Sequence, residues 1–586
     1  MLATSWVSAC LFLLGTAAVF GAGLGNEFVW DDFIVIQRDQ ALRSLAALPK
    51  LLVLPYLNPQ AGLYRPLAPI TWCLNFVFGG ESPWSFHVVN LLLHALNAWL
   101  VFAVVKRLGV DRWCAWWAGV WFLILPIHTE AVAPIVGRSE LLAAAWSLIT
   151  LLLLLRAARV PAVSGWQCLG IGAAFLLALL SKEHALALAP LYLWWVWARA
   201  RSSGWSLGWA VWEARRQLLW LGFALGLYGA LRLIALGPFA AAGDTAVTIV
   251  ENPLAFLPTI QRCLTTVAIV SLYALKSLWP VSLSSDYGYN QIPAAASVLD
   301  PRVLIGVGIL VWLIWMTVRP LIRPVSGRMP WHVAAAFLLW FFLPVSNFFI
   351  LTGTNMGERL MYLPSVGLCL MLAMLTVRVT SWWTARGSLR AAAGWLAVLG
   401  VVGSYGWRSA TRMLDWRSEQ ALLASAARAS PDSVRVRTDQ ATRWLLQGDD
   451  KRAERELLEV LRLCPTYFHA VHNLGLVYQA QQRHVEAEQQ FWRALQLVPR
   501  ETRVYQNLAL LYVDQGRDEE AVEALRFCYG ANPALVKTAL RRIFERRIRE
   551  AVEQQRLYTA SLWESRARGV LEKVPSMLYS NPSWRR

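Results

Sequence analysis

The stretch LATSWVSACLFLLGTAAVFGAGLGNEFVWDDFIVIQ, residues 2–37, decides how the rest of the chain is read. Leu2 to Gly25 carries no charge and is long enough to cross a bilayer, which takes about 20 apolar residues as a helix. No Lys or Arg precedes this run, so it reads as a retained span and not as a cleaved signal peptide. Glu27, Asp31 and Asp32 then arrive together, just before a second apolar run. Such a carboxylate pair either marks the membrane boundary or does chemistry.

Composition extends the membrane reading to the whole chain. Of 586 residues, 57% are hydrophobic, 16% are charged and 32 are tryptophan, the profile of a polytopic membrane protein with aromatic-rich interfaces. The net charge of +18 is assigned to basic anchors at the cytoplasmic face, and no nucleic-acid partner is expected. The eight cysteines are scattered without a CxxC and read as small buried hydrophobes, neither a disulfide framework nor metal ligands.

Apolar segments near 5–24, 85–105, 113–128, 139–156, 165–181, 185–198, 217–235, 301–318, 331–350, 360–377 and 391–407 predict about eleven spans within residues 1–408. Short basic loops, among them Lys106, Arg107 and Arg112, then Arg199, Arg201, Arg215 and Arg216, put the N-terminus in the cytoplasm and the C-terminal part outside. The loops 25–84 and 236–300 are then external, and their length suits a functional role. Residues 64–80, apolar but Pro-rich, are expected along the interface; 261–281, with Arg262 and Lys276, reads as a re-entrant or interfacial element.

After Arg408 the sequence turns charged and Gln-rich, and it repeats. Pro431, Pro465, Pro499 and Pro533 recur every 34 residues, as do Ala453, Ala487 and Ala521, Trp444, Tyr478 and Tyr512, and Ala441, Gly475 and Ala509. That period with those landmarks is the tetratricopeptide signature, where small residues let paired helices approach. It predicts units over about 432–465, 466–499 and 500–533 within a domain 409–533, followed by basic capping helices over 534–586. The expected fold class is all-α, a polytopic transmembrane helix bundle followed by a C-terminal TPR α-solenoid.

Four polar clusters fall on the side assigned as external: Asp31 and Asp32; His128, Glu130, Arg138 and Glu140; Lys182 and Glu183; Glu358 and Arg359. Ionisable groups beside a membrane are costly, so each cluster is a functional candidate. Together they suit an anionic, lipid-borne substrate, with arginine for phosphate and a carboxylate to deprotonate an acceptor. Each also has a structural reading, as span-end marker, hydrogen-bonding histidine or bundle ion pair. There is no HExxH, Gly-rich phosphate loop or GxSxG, so soluble-type NTPase, protease and esterase readings have no support.

The blocks FVWDDFIVI (28–36), YRPLAPITWCLNFVFGG (64–80), PWSFHVVNLLLHALNAWLVF (83–102), HTEAVAPIVGRSELLAA (128–144), SKEHALALAPLYL (181–193) and ERLMYLPSVG (358–367), followed by the repeats, resemble the transmembrane-and-TPR-containing O-mannosyltransferases. These are relatives of the protein O-mannosyltransferases in the GT-C superfamily, and the likeness covers nearly the whole chain in order. It implies an inverting transfer of mannose or another hexose from a polyprenyl-phosphate donor to a protein Ser/Thr hydroxyl on the non-cytoplasmic face.

The resemblance places the catalytic acid at Asp31 or Asp32; the related protein O-mannosyltransferases carry Asp-Glu there, which leaves open which acid takes the proton. Arg359, Arg138 and Lys182 are the donor-phosphate candidates. Glu130, His128, Glu140, Glu183 and Glu358 are supporting residues. No cofactor is required by this chemistry, no metal ligand is assigned, and a divalent ion is left open. The repeats would present acceptor polypeptide. The short loops fit a bacterial homologue in the inner membrane, with its repeats periplasmic. Two other readings remain: a TPR membrane scaffold of an envelope complex, and a lipid-linked-sugar transporter or ligase.

Overall fold

The computed structural model describes residues 2–56, 62–159, 163–240, 248–325, 329–528 and 532–553, with isolated positions between 530 and 567. Among these there is no strand. The chain forms two compact units, Met1–Pro431 and Asp432–Arg586. The change in composition near residue 408 falls inside a helix, Ser388–Asp415, which carries the backbone on into the first unit. The divide follows Pro431 instead.

The first unit is built from α1 (Leu2–Phe20), α2 (Leu67–Gly79), α3 (Pro83–Arg107), α4 (Arg112–Ile124), α5 (Arg138–Ala157), α6 (Gly165–Ser181) and α7 (Leu188–Ser202). It continues with α8 (Leu207–Ala240), α9 (Thr259–Leu278), α10 (Pro301–Ile322), α11 (Pro330–Phe342), α12 (Ser365–Thr384), α13 (Ser388–Asp415) and α14 (Glu419–Ala429). Small residues set how closely these helices pack. A Cβ on Gly119 of α4 would lie 2.9 Å from the Ala98 carbonyl oxygen of α3, and one on Gly367 of α12 would lie 2.3 Å from the Ala334 carbonyl oxygen of α11.

Among the described residues, seven helices are long and apolar enough to cross a membrane: Trp6–Gly25, Pro83–Arg107, Ile135–Ala157, Leu207–Gly237, Pro301–Ile322, Ser365–Thr384 and Ser388–Asp415. This is a multi-pass membrane protein. The other four expected spans come out as α4, α6, α7 and α11, of 13, 17, 15 and 13 residues. At about 1.5 Å per residue these reach roughly 20–26 Å, short of the ~30 Å hydrocarbon core. Proline explains two of the early stops: α4 gives way to a 3-10 turn at Pro126, and α11 to one containing Pro344. The segment expected to be re-entrant is α9, a 20-residue helix outside the seven.

The described residues of the segment expected to be the first external loop, 25–84, are not loose chain. Ile36, Leu42, Leu51 and Tyr56 pack with Trp72, Cys73 and Phe76 of α2, Phe86 of α3 and Ile135 into a small separate core. That core holds the residues after Asp32 against the bundle.

The second unit contains three helix pairs: α15 (Val434–Leu446) with α16 (Asp450–Leu463), α17 (Phe468–Ala480) with α18 (His484–Leu497), and α19 (Thr502–Gln515) with α20 (Asp518–Cys528). The last described helix is α21 (Pro533–Glu553); most of the stretch expected to form further capping helices lies outside the described residues. Ala453, Ala487 and Ala521 are fully buried, as the period requires. Successive pairs are clamped alike: Arg483 lies 4.2 Å over the Tyr478 ring and meets Glu454 of the preceding unit at 2.8 Å, and Arg517 repeats this with Tyr512 and Glu488.

Candidate functional site

The two adjacent aspartates have opposite environments. Asp32 is fully buried and its carboxylate accepts three backbone N–H groups, from Val29 at 3.3 Å, Ile135 at 3.2 Å and Val136 at 2.9 Å. Burial pushes its pKa up to about 7, against those three hydrogen bonds, which pull it down. Asp31 is exposed, and no hydrogen bond or ion pair of its carboxylate occurs among the described residues. Trp30, just before them, has φ +53°, a left-handed conformation costing a bulky residue about 1–2 kcal/mol. The Asp32 clasp holds that turn, and the turn leaves Asp31 facing outward.

The loop that grips Asp32 is itself folded tightly. Asn90 of α3 donates to the carbonyls of Val132 and Pro134, and a Cβ on Gly137 would lie 2.2 Å from the Ala131 carbonyl oxygen, so only glycine fits. Arg138 follows and is fully buried. Its Nε donates to Asn90 Oδ1 at 2.9 Å, its Nη1 to Thr71 O at 3.2 Å and to Asn75, and its Nη2 to Phe86 O at 2.9 Å. The guanidinium staples α5 to α2 and α3. The assignment of Arg138 to a donor phosphate is therefore corrected: every nitrogen of its fork is already engaged inside the protein.

His128 is likewise a core residue and not an orienter of acids or acceptor. Its Nδ1 lies 2.8 Å from the Phe122 carbonyl, which only accepts, so Nδ1 carries the proton and Nε2 faces the Ser365 hydroxyl at 2.7 Å. Both nitrogens are used within the bundle, beside His94 and Tyr362.

The remaining charges do converge. Glu130, almost wholly buried, pairs with the Arg359 guanidinium and also accepts the Arg359 backbone N–H at 3.0 Å. Arg359 keeps 38% of its side chain exposed. Burial disfavours its charge, but Glu130, Asp31 and Glu140 overrule it and raise its pKa. Lys182 is buried against Glu140, with His184 3.6 Å from the same carboxylate, and burial brings the lysine down to about 8. Glu183 holds Arg65 at 2.9 Å and Arg232 at 3.6 Å. Glu358 turns away from its neighbour Arg359: its Oε1 accepts the Ser284 N–H and the Tyr287 hydroxyl, both at 2.6 Å, and burial pushes its pKa up to about 7. The result is a cluster of cations that are each held by a carboxylate, with Asp31 close enough to Arg359 to act on its charge. Among the described residues no three His, Cys, Asp or Glu side chains are grouped to share a metal ion.

Comparison with known proteins bears on the family. The family model described as Protein O-mannosyl-transferase TMTC, DUF1736, matches residues 244–314, and Tetratricopeptide repeat models match 469–498 and 502–535. The chain is 31% identical to Protein O-mannosyl-transferase Tmtc1 of Drosophila melanogaster over 503 residues, covering 70% of this chain and 56% of that protein. It is 29% identical to Protein O-mannosyl-transferase TMTC4 of Homo sapiens, covering 72% and 62%, and 25% identical to human TMTC3, covering 72% and 47%. Over about seven-tenths of its length the chain is similar to TMTC protein O-mannosyl-transferases. It spans about half to three-fifths of the length of these relatives.

The segment that matches the TMTC model touches the site directly. Besides Ser284 and Tyr287 on Glu358, the Tyr273 hydroxyl of α9 accepts the Gly357 N–H at 3.0 Å, so this segment fixes the backbone on which Arg359 stands. Sequence reasoning missed Arg65, Arg232 and Tyr56. Arg232 had a signal, since it is an ionisable residue within the expected span 217–235. Arg65 lay inside a quoted block but had no acidic neighbour in sequence; its partner Glu183 is 118 residues away. Tyr56, buried beneath the Arg65 guanidinium at 5.6 Å, carried no signal at all.

Proposed function

We propose that this protein is an integral-membrane glycosyltransferase that moves a hexose, mannose by analogy with its relatives' names, from a polyprenyl-phosphate donor to a Ser or Thr hydroxyl of a polypeptide, with inversion. Asp31 is the general base and takes the proton from the attacking hydroxyl as the new glycosidic bond forms. The bond from the anomeric carbon to the lipid phosphate breaks, and the phosphate leaves with its charge rising. Arg359 meets that charge, with Arg65, Arg232 and Lys182 adding positive potential around it. Asp32 is a positioning residue, since its carboxylate is spent on backbone amides. Glu130 orients Arg359, Glu140 orients Lys182, and Glu183 orients Arg65 and Arg232. The repeats offer the acceptor a groove of stacked helices. Transfer takes place on the non-cytoplasmic face, in line with the basic loops at the opposite end of the spans.

The observation that carries this reading is an exposed, unengaged Asp31 within the field of a half-exposed, carboxylate-held Arg359. General bases contribute about 10²–10⁴-fold, and a positioned cation opposite the leaving phosphate adds to that. The test reconstitutes the full chain with polyprenyl-phosphate mannose and a Ser/Thr-rich peptide and follows peptide mass and anomeric configuration. Mannosylated peptide with inverted configuration is expected. Transfer from a nucleotide sugar without the lipid donor, or a retained configuration, overturns the mechanism.

A further inference from the structure

The far end of the bundle holds a feature that this chemistry does not use. α5 carries Glu140 in its first turn and Ala157 at its last residue, so these two residues lie about 26 Å apart along the helix. Beside Ala157, the end of α7 and the start of α8 enclose a cavity of about 260 Å³, walled by Tyr192, Trp195, Arg199, Trp205, Arg216 and Gln217. That is a little below the ~300–1,000 Å³ of drug-sized ligand pockets, a size for a headgroup.

Three details distinguish this cavity from an ordinary basic loop end. First, its arginines are fixed but unspent. Arg199 donates Nη1 to the Ala158 carbonyl at 2.9 Å and lies 5.3 Å and 5.9 Å from the rings of Trp195 and Trp205, while Arg216 donates Nη1 to Val163 O at 3.1 Å. Each is held by one nitrogen, and its others make no hydrogen bond among the described residues. Second, neither has a carboxylate partner among the described residues, whereas Arg65, Lys182, Arg232 and Arg359 at the other end all do. The charged residues on the wall are three arginines, Arg199, Arg215 and Arg216, against a single Glu213. Third, Gln217 is 3% exposed and its Oε1 has no hydrogen-bond partner among the described residues. A buried acceptor left unpaired costs about 1–3 kcal/mol, so a bound donor would relieve it.

We propose that this cavity binds a phosphate anion flanked by a hydroxyl, the chemistry of a glycerophosphate headgroup. Arg199 and Arg216 take the phosphate in charge-assisted hydrogen bonds, the Gln217 carbonyl accepts from the neighbouring hydroxyl, and Trp195 and Trp205 flank the headgroup. The shared chemistry admits an anionic phospholipid or a free polyol phosphate. The site does not depend on the glycosyl-transfer reading, since none of its residues belongs to the charged cluster around Asp31 and Arg359.

The test is native mass spectrometry of the full chain in detergent, titrated with phosphatidylglycerol, with phosphatidylcholine of the same chains, and with glycerol 1-phosphate as a tail-free competitor. Wild type should retain phosphatidylglycerol in preference to phosphatidylcholine, and the double variant Arg199→Ala, Arg216→Ala should weaken it about tenfold or more. Gln217→Leu should narrow the preference over phosphatidylcholine, and Arg199→Lys, which keeps the charge and guards against misfolding, should fall between. Arg386→Ala, at another basic turn where the guanidinium lies over Trp382, should bind as wild type does. Displacement by millimolar glycerol 1-phosphate would identify a soluble ligand, and resistance to it a lipid. Equal retention of phosphatidylglycerol by wild type and the double variant, or equal binding of the two lipids by wild type, overturns the proposal.

Discussion

Asp31→Asn and Asp32→Asn, made separately, should fail in different ways. Asp31 is exposed and its carboxylate makes no hydrogen bond among the described residues, so its replacement should leave stability within about 0.5 kcal/mol. As general base its loss should cut kcat by about 10²–10⁴, a barrier increase of roughly 3–5 kcal/mol. Asp32 reverses the pattern. An amide oxygen placed at Oδ2 still accepts from Val29 and Ile135, but the amide nitrogen then faces the Val136 N–H, which loses its 2.9 Å bond. With a pKa pushed up to about 7, charged and protonated Asp32 are close in free energy at neutral pH, and asparagine resembles the protonated acid. The net effect is then one orphaned N–H, a loss of about 1–3 kcal/mol in stability. Transfer by the folded Asp32→Asn protein should fall less than about tenfold, the scale of a displaced positioning turn and not of a missing base. Both variants are assayed for peptide mannosylation and for thermal unfolding followed by tryptophan fluorescence. A stable Asp32→Asn protein without transfer, beside an Asp31→Asn protein that transfers normally, would refute this assignment.

Three further outcomes follow from the same contacts. Glu358 has a folded pKa raised to about 7, so between the unfolded carboxylate range and about 7 the folded state binds the extra proton, and stability falls as pH rises through that window. Glu358→Gln keeps an acceptor for Ser284 and Tyr287, so its denaturation midpoint should change less than wild type's between about pH 5 and pH 8. Arg138→Met removes a fully buried fork and orphans its acceptors on Asn90, Asn75 and Phe86; the expected loss is about 3–5 kcal/mol, seen as a lower unfolding midpoint in detergent. Gly475→Ala puts a Cβ 2.6 Å from the Phe491 ring, and a destabilisation of about 1–3 kcal/mol should appear as faster proteolysis within residues 432–553 while the membrane unit stays intact.

Much of this protein is legible from sequence because the signals are local. A run of uncharged residues defines a span wherever it sits, and a 34-residue period of small, aromatic and proline landmarks specifies stacked helix pairs without knowledge of their neighbours. Helix length was less accessible: Pro126 and Pro344 cut two apolar segments short, and hydropathy by itself does not register that. The polar clusters were visible as costly residues near the membrane, yet their division of labour was not. Arg138 and Arg359 look equivalent in sequence, but one spends its donors on Asn90, Asn75, Thr71 and Phe86, and the other stands half exposed on Glu130.

The pair at residues 31 and 32 marks where the sequence stops. It determined that two carboxylates follow the first span, because charge at the end of an apolar run is a property of the chain itself. It could not say which acid is available. That depends on backbone N–H groups of Ile135 and Val136, which every residue but proline possesses and which therefore leave no trace in residue identity. Only the tertiary structure, by bringing a loop about a hundred residues away onto Asp32, consumes one carboxylate and leaves Asp31 exposed.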